Sequence, residues 1–313
     1  MGVKILGIEY FLPINTETLQ DLRVKKKRGG VNRVFEATGI NKRHISNKNE
    51  DSIQLGLKSA IKILKKFDRK KIDFLIFVSQ TSPYKLPSAA CILQDKLSLR
   101  KNIMAFDVNQ GCSGFIYALE VAKNLMKGNK GYKYGLIVLS DTYTKFISKN
   151  NTSCRPIFSD ASSSVLIKKT SKEFLGSSEF GTDGSGAMSL KLSNNEIYMD
   201  GAKIAIFSLS RIPMFIKSFL KNNKINNKKL KLLALHQASK YVCDKIKNKL
   251  NLPNKKFYFN YSRIGNTVSS SIPIVLKDCD KRKTIKNNDT VVACGFGVGL
   301  SWGITQIKWS KLI

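Results

Sequence analysis

Two observations predict an α/β protein built as two echoing halves. Short apolar runs of strand length, such as Phe74-Leu75-Ile76-Phe77-Val78, alternate with amphipathic stretches of helix length. Such alternation is the mark of α/β architecture. The order of elements then repeats. The run from Ile72 to Gln80, followed by a helix over 87–98, parallels the run from Leu230 to His236, followed by a helix over 239–250. Asp107 to Cys112 before one helix parallels Phe257 to Asn266 before another. A chain of 313 residues holds one large domain or about two ordinary ones, and the echo divides it at 1–170 and 171–313.

The first half opens on a strand over 3–9. Met1 to Ile8 lacks the separate charged region, long apolar core and cleavage site of a secretory signal, which points to the cytoplasm. A helix follows over 51–67, then a strand over 73–80, a helix over 87–98 and a strand over 103–108. A helix over 112–127 is read from the periodic pattern that begins at Phe115. Strands over 134–140 and 160–168 close the half. The second half reads as strands over 174–181 and 196–200, a helix over 202–221, a strand over 231–236 and a helix over 239–250. A strand over 256–260, a helix over 268–280 and strands over 290–295 and 300–308 complete it. The apolar runs are far too short to span a bilayer, so no membrane partner is expected.

Composition bounds the function. Hydrophobic residues make up 42% of the chain, enough for a real core. The net charge is +32, and lysine mixed with asparagine in loops such as Lys221 to Lys229 supplies most of it. Such a field attracts any polyanion. No arginine-rich arm, zinc finger or RNP-like aromatic sequence accompanies it, which favours a solvated surface over a nucleic-acid binder. The six cysteines (Cys91, Cys112, Cys154, Cys243, Cys279 and Cys294) show no CxxC pair and no zinc spacing, so neither a metal nor a disulfide framework is expected.

Cys112 has the most informative setting. The stretch Ala105-Phe106-Asp107-Val108-Asn109-Gln110-Gly111-Cys112 runs from an apolar strand through a tight turn into a helix. A helix N-terminus offers unpaired N–H groups and a dipole that favour the thiolate. The local sequence equally allows a buried core thiol at a strand–helix junction. His236 follows an apolar strand, where a satisfied core histidine is the ordinary reading. Asn266 lies in a Gly-Asn-Thr turn, a place that asparagine favours for local reasons alone. The second histidine, His44, sits in a loop-like stretch and reads as structural. Gly295 to Gly299 on its own reads as a tight turn between strands.

Taken together, Gly111-Cys112-Ser113-Gly114-Phe115, His236-Gln237-Ala238 and Gly265-Asn266-Thr267 resemble the Cys, His and Asn motifs of the ketoacyl-ACP synthase III family. Gly295 to Gly303 resembles its glycine-rich C-terminal signature. Leu86-Pro87-Ser88-Ala89-Ala90-Cys91 and Phe158-Ser159-Asp160 match two further segments, all in order over nearly the whole chain. The resemblance implies a duplicated thiolase-like fold, a five-layer αβαβα sandwich. It implies an acyltransferase that loads an acyl group on Cys112 and condenses it with malonyl-ACP, releasing carbon dioxide. No metal or prosthetic group is implied; acyl-CoA or acyl-ACP and acyl carrier protein are substrates and partner. Cysteine suits this role because it is intrinsically nucleophilic. The backbone N–H groups of Cys112 and Val298 would hold the tetrahedral oxyanion. His236 and Asn266 would hydrogen-bond the malonyl thioester carbonyl and stabilise the enolate. Phe296 would pack over Cys112. Leu86 would lie on the loop that reaches the partner's acyl pocket in family homodimers, unless it is a core residue before Pro87. Lys240, Lys245 and Lys249 are candidate contacts for the acidic carrier, or ordinary solvated lysines.

The chain also departs from the family. Ala37 and Thr152 stand where housekeeping members carry arginines, although Arg155 is near, and Arg33 replaces an aromatic that stacks on adenine. Val298 replaces a glycine, Ser239 an asparagine, and Ser159-Asp160-Ala161 a Gly-Asp-Gly. A catalytic trio without a coenzyme A platform implies a protein-carried donor or a specialised pathway. Two rival readings are an acyltransferase that passes the acyl group from Cys112 to a hydroxyl or amine with His236 as base, and a basic nucleic-acid-binding protein.

Overall fold

The computed structural model describes residues 2–22 and 36–313. The first half supplies β1 (Gly2–Phe11), a hairpin of β2 (Thr16–Thr18) and β3 (Lys42–His44), β4 (Phe74–Val78), β5 (Met104–Val108), β6 (Tyr134–Asp141) and β7 (Ala161–Thr170). The second supplies β8 (Leu175–Thr182), β9 (Leu190–Ser193), β10 (Glu196–Met199), β11 (Leu230–Leu235), β12 (Thr290–Gly297) and β13 (Ser301–Lys308).

Two mixed sheets carry the fold. The first has the order β1-β7-β6-β4-β5, with β4 parallel to both β5 and β6, and β7 antiparallel to β6 and β1. The second has the order β11-β12-β13-β8, with β11 parallel to β12, and β13 antiparallel to β12 and β8. Strands β4, β6, β7 and β1 therefore recur as β11, β12, β13 and β8, in the same order and sense. The echo read from sequence is a repeat of topology.

One strand of the echo is missing. The counterpart of β5 was expected over 256–260, and no strand forms there. Asn254–Lys256 makes a 3₁₀ turn instead. The Lys256 ammonium donates to the Leu230 carbonyl, and the Asn260 N–H donates to Gln237 Oε1 at 3.0 Å. Side chains thus bond the segment to its neighbours in place of a backbone ladder.

The layers follow from burial. β4 is buried on both faces, which explains its unbroken apolar run. Phe74, Ile76 and Val78 point to the centre, while Leu75 and Phe77 point outward to helix Ser52–Leu64. Helices Gly114–Gly128 and Ser271–Lys281 lie between the sheets, where Phe115, Leu119, Ile272 and Val275 meet apolar residues of both halves. Helices Ser52–Leu64 and Ala89–Lys96 cover the outer face of the first sheet, and Gly201–Asn222 and Lys240–Leu250 that of the second. The result is the five-layer αβαβα sandwich.

Helix starts are set by polar side chains. The Asp51 and Ser239 side chains accept from the N–H groups of Gln54 and Val242, the ordinary N-cap bond. Helix Ala89–Lys96 is capped from outside: the Asp107 carboxylate of β5 accepts from the Ala89 and Ala90 N–H groups at 2.7 Å each. The strand expected over 196–200 is one arm of the β9–β10 hairpin. Its turn residues Asn194 and Asn195 have φ of 50° and 57°, the left-handed geometry that asparagine tolerates. Among the described residues no helix is long and apolar enough to cross a membrane.

Candidate active site

Each chemical group comes from the end of a strand or the start of a helix. Cys112 leaves β5 just before helix Gly114–Gly128, His236 follows β11, Gly297 ends β12, and Asn266 precedes helix Ser271–Lys281. The structure brings Cys112, His236, Asn266 and Phe296 to one cavity of about 310 Å³, whose other walls include Phe158, Leu190, Met199 and Val242. Among the described residues no lysine or arginine lines it.

Cys112 is only 5% exposed. Burial pushes its thiol up to about 12, the Asp141 carboxylate adds to the rise, and its own backbone N–H opposes it. Desolvation thus opposes the thiolate that a helix N-terminus would favour. Asp141 is itself raised to about 6 by burial. It accepts from Ser269 Oγ at 2.5 Å and from the Gln80 N–H at 2.9 Å.

His236 is lowered to about 3 by burial, so its ring is neutral at any working pH. Its Nδ1 lies 2.7 Å from Ser271 Oγ, which leaves Nε2 to meet a substrate. The Phe296 ring stands edge-on to the imidazole, with centroids 5.6 Å apart. Asn266 is fixed by its backbone and its side chain. Its N–H donates to the Ile157 carbonyl at 3.0 Å, and its carbonyl accepts from the Ser159 N–H at 2.9 Å. Its Oδ1 accepts from the Val268 N–H at 2.9 Å, while Nδ2 reaches the Ala238 carbonyl at 3.4 Å. The turn requires Val268 at φ 51°, an uncommon conformation for a β-branched residue.

The backbone N–H groups of Cys112 and Val298 donate to no protein acceptor among the described residues. Val298 packs against the cluster that holds Cys112, but its side chain lines a second cavity, of about 330 Å³, with Gln80 and Tyr143. Leu190 lines both cavities.

Other expected site residues lie elsewhere. Leu86 is 87% exposed, which overturns its reading as a core residue, and it does not line the cavity within one chain. Lys240, Lys245 and Lys249 are on helix Lys240–Leu250, whose first turn reaches the cavity through Tyr241 and Val242. Lys240 pairs with Asp244 at 2.8 Å, Lys245 sits over the Tyr241 ring, and Lys249 donates to the Leu209 carbonyl at 3.0 Å. Ala37 lines the cavity. Arg155 bonds Glu17 at 2.8 Å and the Lys149 carbonyl at 3.0 Å, and Thr152 is exposed. Arg33 lies outside the described residues. His44 is buried away from the cavity, with Nδ1 bonded to the Pro13 carbonyl at 2.7 Å. Among the described residues no cluster of histidine, cysteine or carboxylate side chains could hold a metal. Ser271 and Asp141 were not singled out from sequence: a serine in a Ser-Ser-Ser run and an aspartate after a strand carry no local signal of contact with His236 or Gln80.

Comparison with known proteins gives this geometry a lineage. Residues 106–184 match the model of 3-oxoacyl-[acyl-carrier-protein] synthase III, and residues 220–309 match that of its C-terminal region. Beta-ketoacyl-[acyl-carrier-protein] synthase III of Fusobacterium nucleatum is 31% identical over 99% of this chain and 99% of its own. The enzyme of that name from Streptococcus sanguinis is 34% identical over 86% of this chain and 88% of its own. The crystal structure of 3-oxoacyl-(acyl-carrier protein) synthase from Burkholderia xenovorans superposes with a TM-score of 0.92 at 27% identity, covering 100% of this chain and 95% of that one. The synthase III from Aquifex aeolicus gives 0.91 at 26% identity, covering 98% and 100%. With its cysteine, histidine and asparagine motifs gathered on a duplicated fold, the chain belongs to the 3-oxoacyl-[acyl-carrier-protein] synthase III family of thiolase-fold acyltransferases.

Proposed function

We propose that this chain loads an acyl group on Cys112 and condenses it with malonyl-ACP. The observation that carries the reading is one apolar cavity shared by a cysteine, a neutral histidine and a pinned asparagine. In loading, the Cys112 Sγ–C bond forms as the donor's C–S bond breaks, and the Cys112 proton leaves with the donor thiol. The N–H groups of Cys112 and Val298 would hold the oxyanion. In condensation, the malonyl carboxylate leaves as carbon dioxide and its electron pair passes into an enolate. That carbanion attacks the acyl carbon, the Cys112–acyl bond breaks, and the thiolate regains a proton. Nε2–H of His236 and Nδ2–H of Asn266 would donate to the enolate oxygen. Both are neutral, so they lower its energy without protonating the carbon. Ser271 would position the ring, because its hydroxyl donates to Nδ1 in the tautomer that carries the proton on Nε2.

Three finer features belong to the same reading. The active form is a homodimer, supported by the exposed Leu86 and by the edge strand β5, which leaves Met104 exposed. The protein works in the cytoplasm, where its six free cysteines stay reduced. Its donor is an acyl-ACP, supported by a cavity without cationic lining among the described residues and by an Arg155 already engaged by Glu17. The lysines of helix Lys240–Leu250 would meet the acidic carrier.

Intact-protein mass spectrometry should show an acyl adduct on wild type and none on Cys112→Ser. His236→Ala and Asn266→Ala should still load but lose malonyl decarboxylation by about 10²-fold or more, the scale of a lost oxyanion donor. Normal decarboxylation in both variants overturns the assigned roles.

The burial of Cys112 fixes a pH dependence. A thiol raised to about 12 is protonated at neutral pH. Its thiolate fraction, and so its alkylation rate by iodoacetamide, should climb roughly tenfold per pH unit from 7 to 10. A plateau below pH 8 would instead mean that the helix N-terminus dominates.

Acyl-ACP should exceed the matching acyl-CoA in kcat/KM for loading by more than about tenfold, since each missing charge-assisted contact is worth about 1.5–3 kcal/mol. Salt should shrink the margin. Equal or better use of acyl-CoA refutes the donor assignment. Sedimentation at micromolar concentration should report a dimer, and a fully active monomer contradicts it.

A further inference from the structure

The second cavity is not a plain hydrocarbon slot. It adjoins Cys112 through Val298, and Leu190 divides it from the first cavity. Its walls join apolar Leu190, Leu192, Ile197 and Val298 to the polar Gln80, Thr81, Asn109 and Tyr143, with Lys191 at the exposed rim. Gln80 is held at three points. Its backbone N–H donates to Asp141 Oδ1 at 2.9 Å. Its Oε1 accepts from the Tyr143 hydroxyl at 2.8 Å. Its side chain presses on Gly111, where a Cβ would stand 2.2 Å from Oε1. Tyr143 is buried and its hydroxyl stays protonated, so it remains a donor to that oxygen. With the carbonyl end of the amide committed, the NH₂ end has no protein acceptor among the described residues. It is the end left for the chamber, one residue away from the nucleophile's own turn.

We infer that this chamber selects an acyl group that carries an oxygen acceptor, read by the Gln80 amide oriented by Tyr143. The inference rests on the reading of Cys112 as acyl acceptor and adds the substrate class. A saturated hydrocarbon chain would cover the NH₂ group and leave it without a partner. A hydroxyl or carboxylate oxygen on the chain would satisfy it. Sites built to bond a polar group reject the analogue that lacks it more strongly than apolar pockets reject an extra methylene.

The test compares loading of Cys112, by single-turnover mass spectrometry, with butanoyl, 3-hydroxybutanoyl and succinyl groups on one carrier. At least one oxygenated group should load about tenfold faster than butanoyl, and which one identifies the oxygen as hydroxyl or carboxylate. Gln80→Leu should cut that ratio at least fivefold, whatever its absolute rates. Tyr143→Phe keeps the ring packing but frees the amide to turn, and should also lower the ratio. Equal loading of all three by wild type, or a ratio unchanged in both variants, overturns the inference while leaving Cys112 as acyl acceptor. Absence of any adduct overturns that parent reading and this one with it.

Discussion

The close approach of β12 to the Cys112 turn is the constraint on which the site depends. A Cβ on Gly295 would stand 2.6 Å from the Cys112 carbonyl oxygen and 2.9 Å from Ser113 Cα. One on Gly297 would stand 3.0 Å from Cys112 Sγ. Backbone, not a flexible side chain tip, occupies the first position, so nothing there can yield cheaply. Only glycine permits the contact. Through it the end of a second-half strand closes over a cysteine supplied by the first half. Gly114 is equally tight, with a Cβ position 2.7 Å from Val78 of β4. Cys112 is thus wedged between the two sheets.

The same closure sets the electrostatics. Excluding water raises Cys112 and lowers His236, so both are neutral at rest. A site of this kind does not store a reactive anion. It provides fixed dipoles for charge that appears during reaction, where low dielectric makes each donor worth more than in water. Ser271 fits that logic, since a hydroxyl can donate to Nδ1 or accept from it. In the proposed mechanism His236 would therefore offer Nε2 as a donor during condensation or as an acceptor when the thiol proton departs, without a net charge on the ring.

The legible parts of the fold were those fixed by local pattern. The unbroken run Phe74 to Val78 reads as a strand because both its faces are covered, and it is one. The topological echo was visible because element order survives where residues diverge. The segment over 256–260 misled for the same reason: the echo called for a strand, while Lys256 and Asn260 satisfy their neighbours through side chains. Cys112, His236, Asn266 and Phe296 were legible as motifs, and they share a cavity. Their charge states were not, because burial is a property of the whole fold. Ser271 meets a histidine 35 positions away, and Tyr143 meets a glutamine 63 away. No local pattern encodes such pairs.

The basic composition also acquires a sharper meaning. Net charge says nothing of where charge stands. Arg43 is buried, pairs with Glu17, and donates to the Phe158 carbonyl at 3.1 Å. Arg155 takes the other Glu17 oxygen at 2.8 Å. Phe158 in turn bridges to Asn266 as a parallel β-bridge. One carboxylate between two guanidinium groups therefore backs the turn that carries the asparagine. Removing Glu17 would leave a buried guanidinium without its counter-ion, the costly way to break such a pair. These cations are committed to holding the Asn266 turn. Among the described residues the cavity itself has no cationic side chain, in a chain of net charge +32. On the proposed reading, long-range attraction for an acidic carrier would fall to the lysine-rich surface and recognition of the acyl group to the apolar interior.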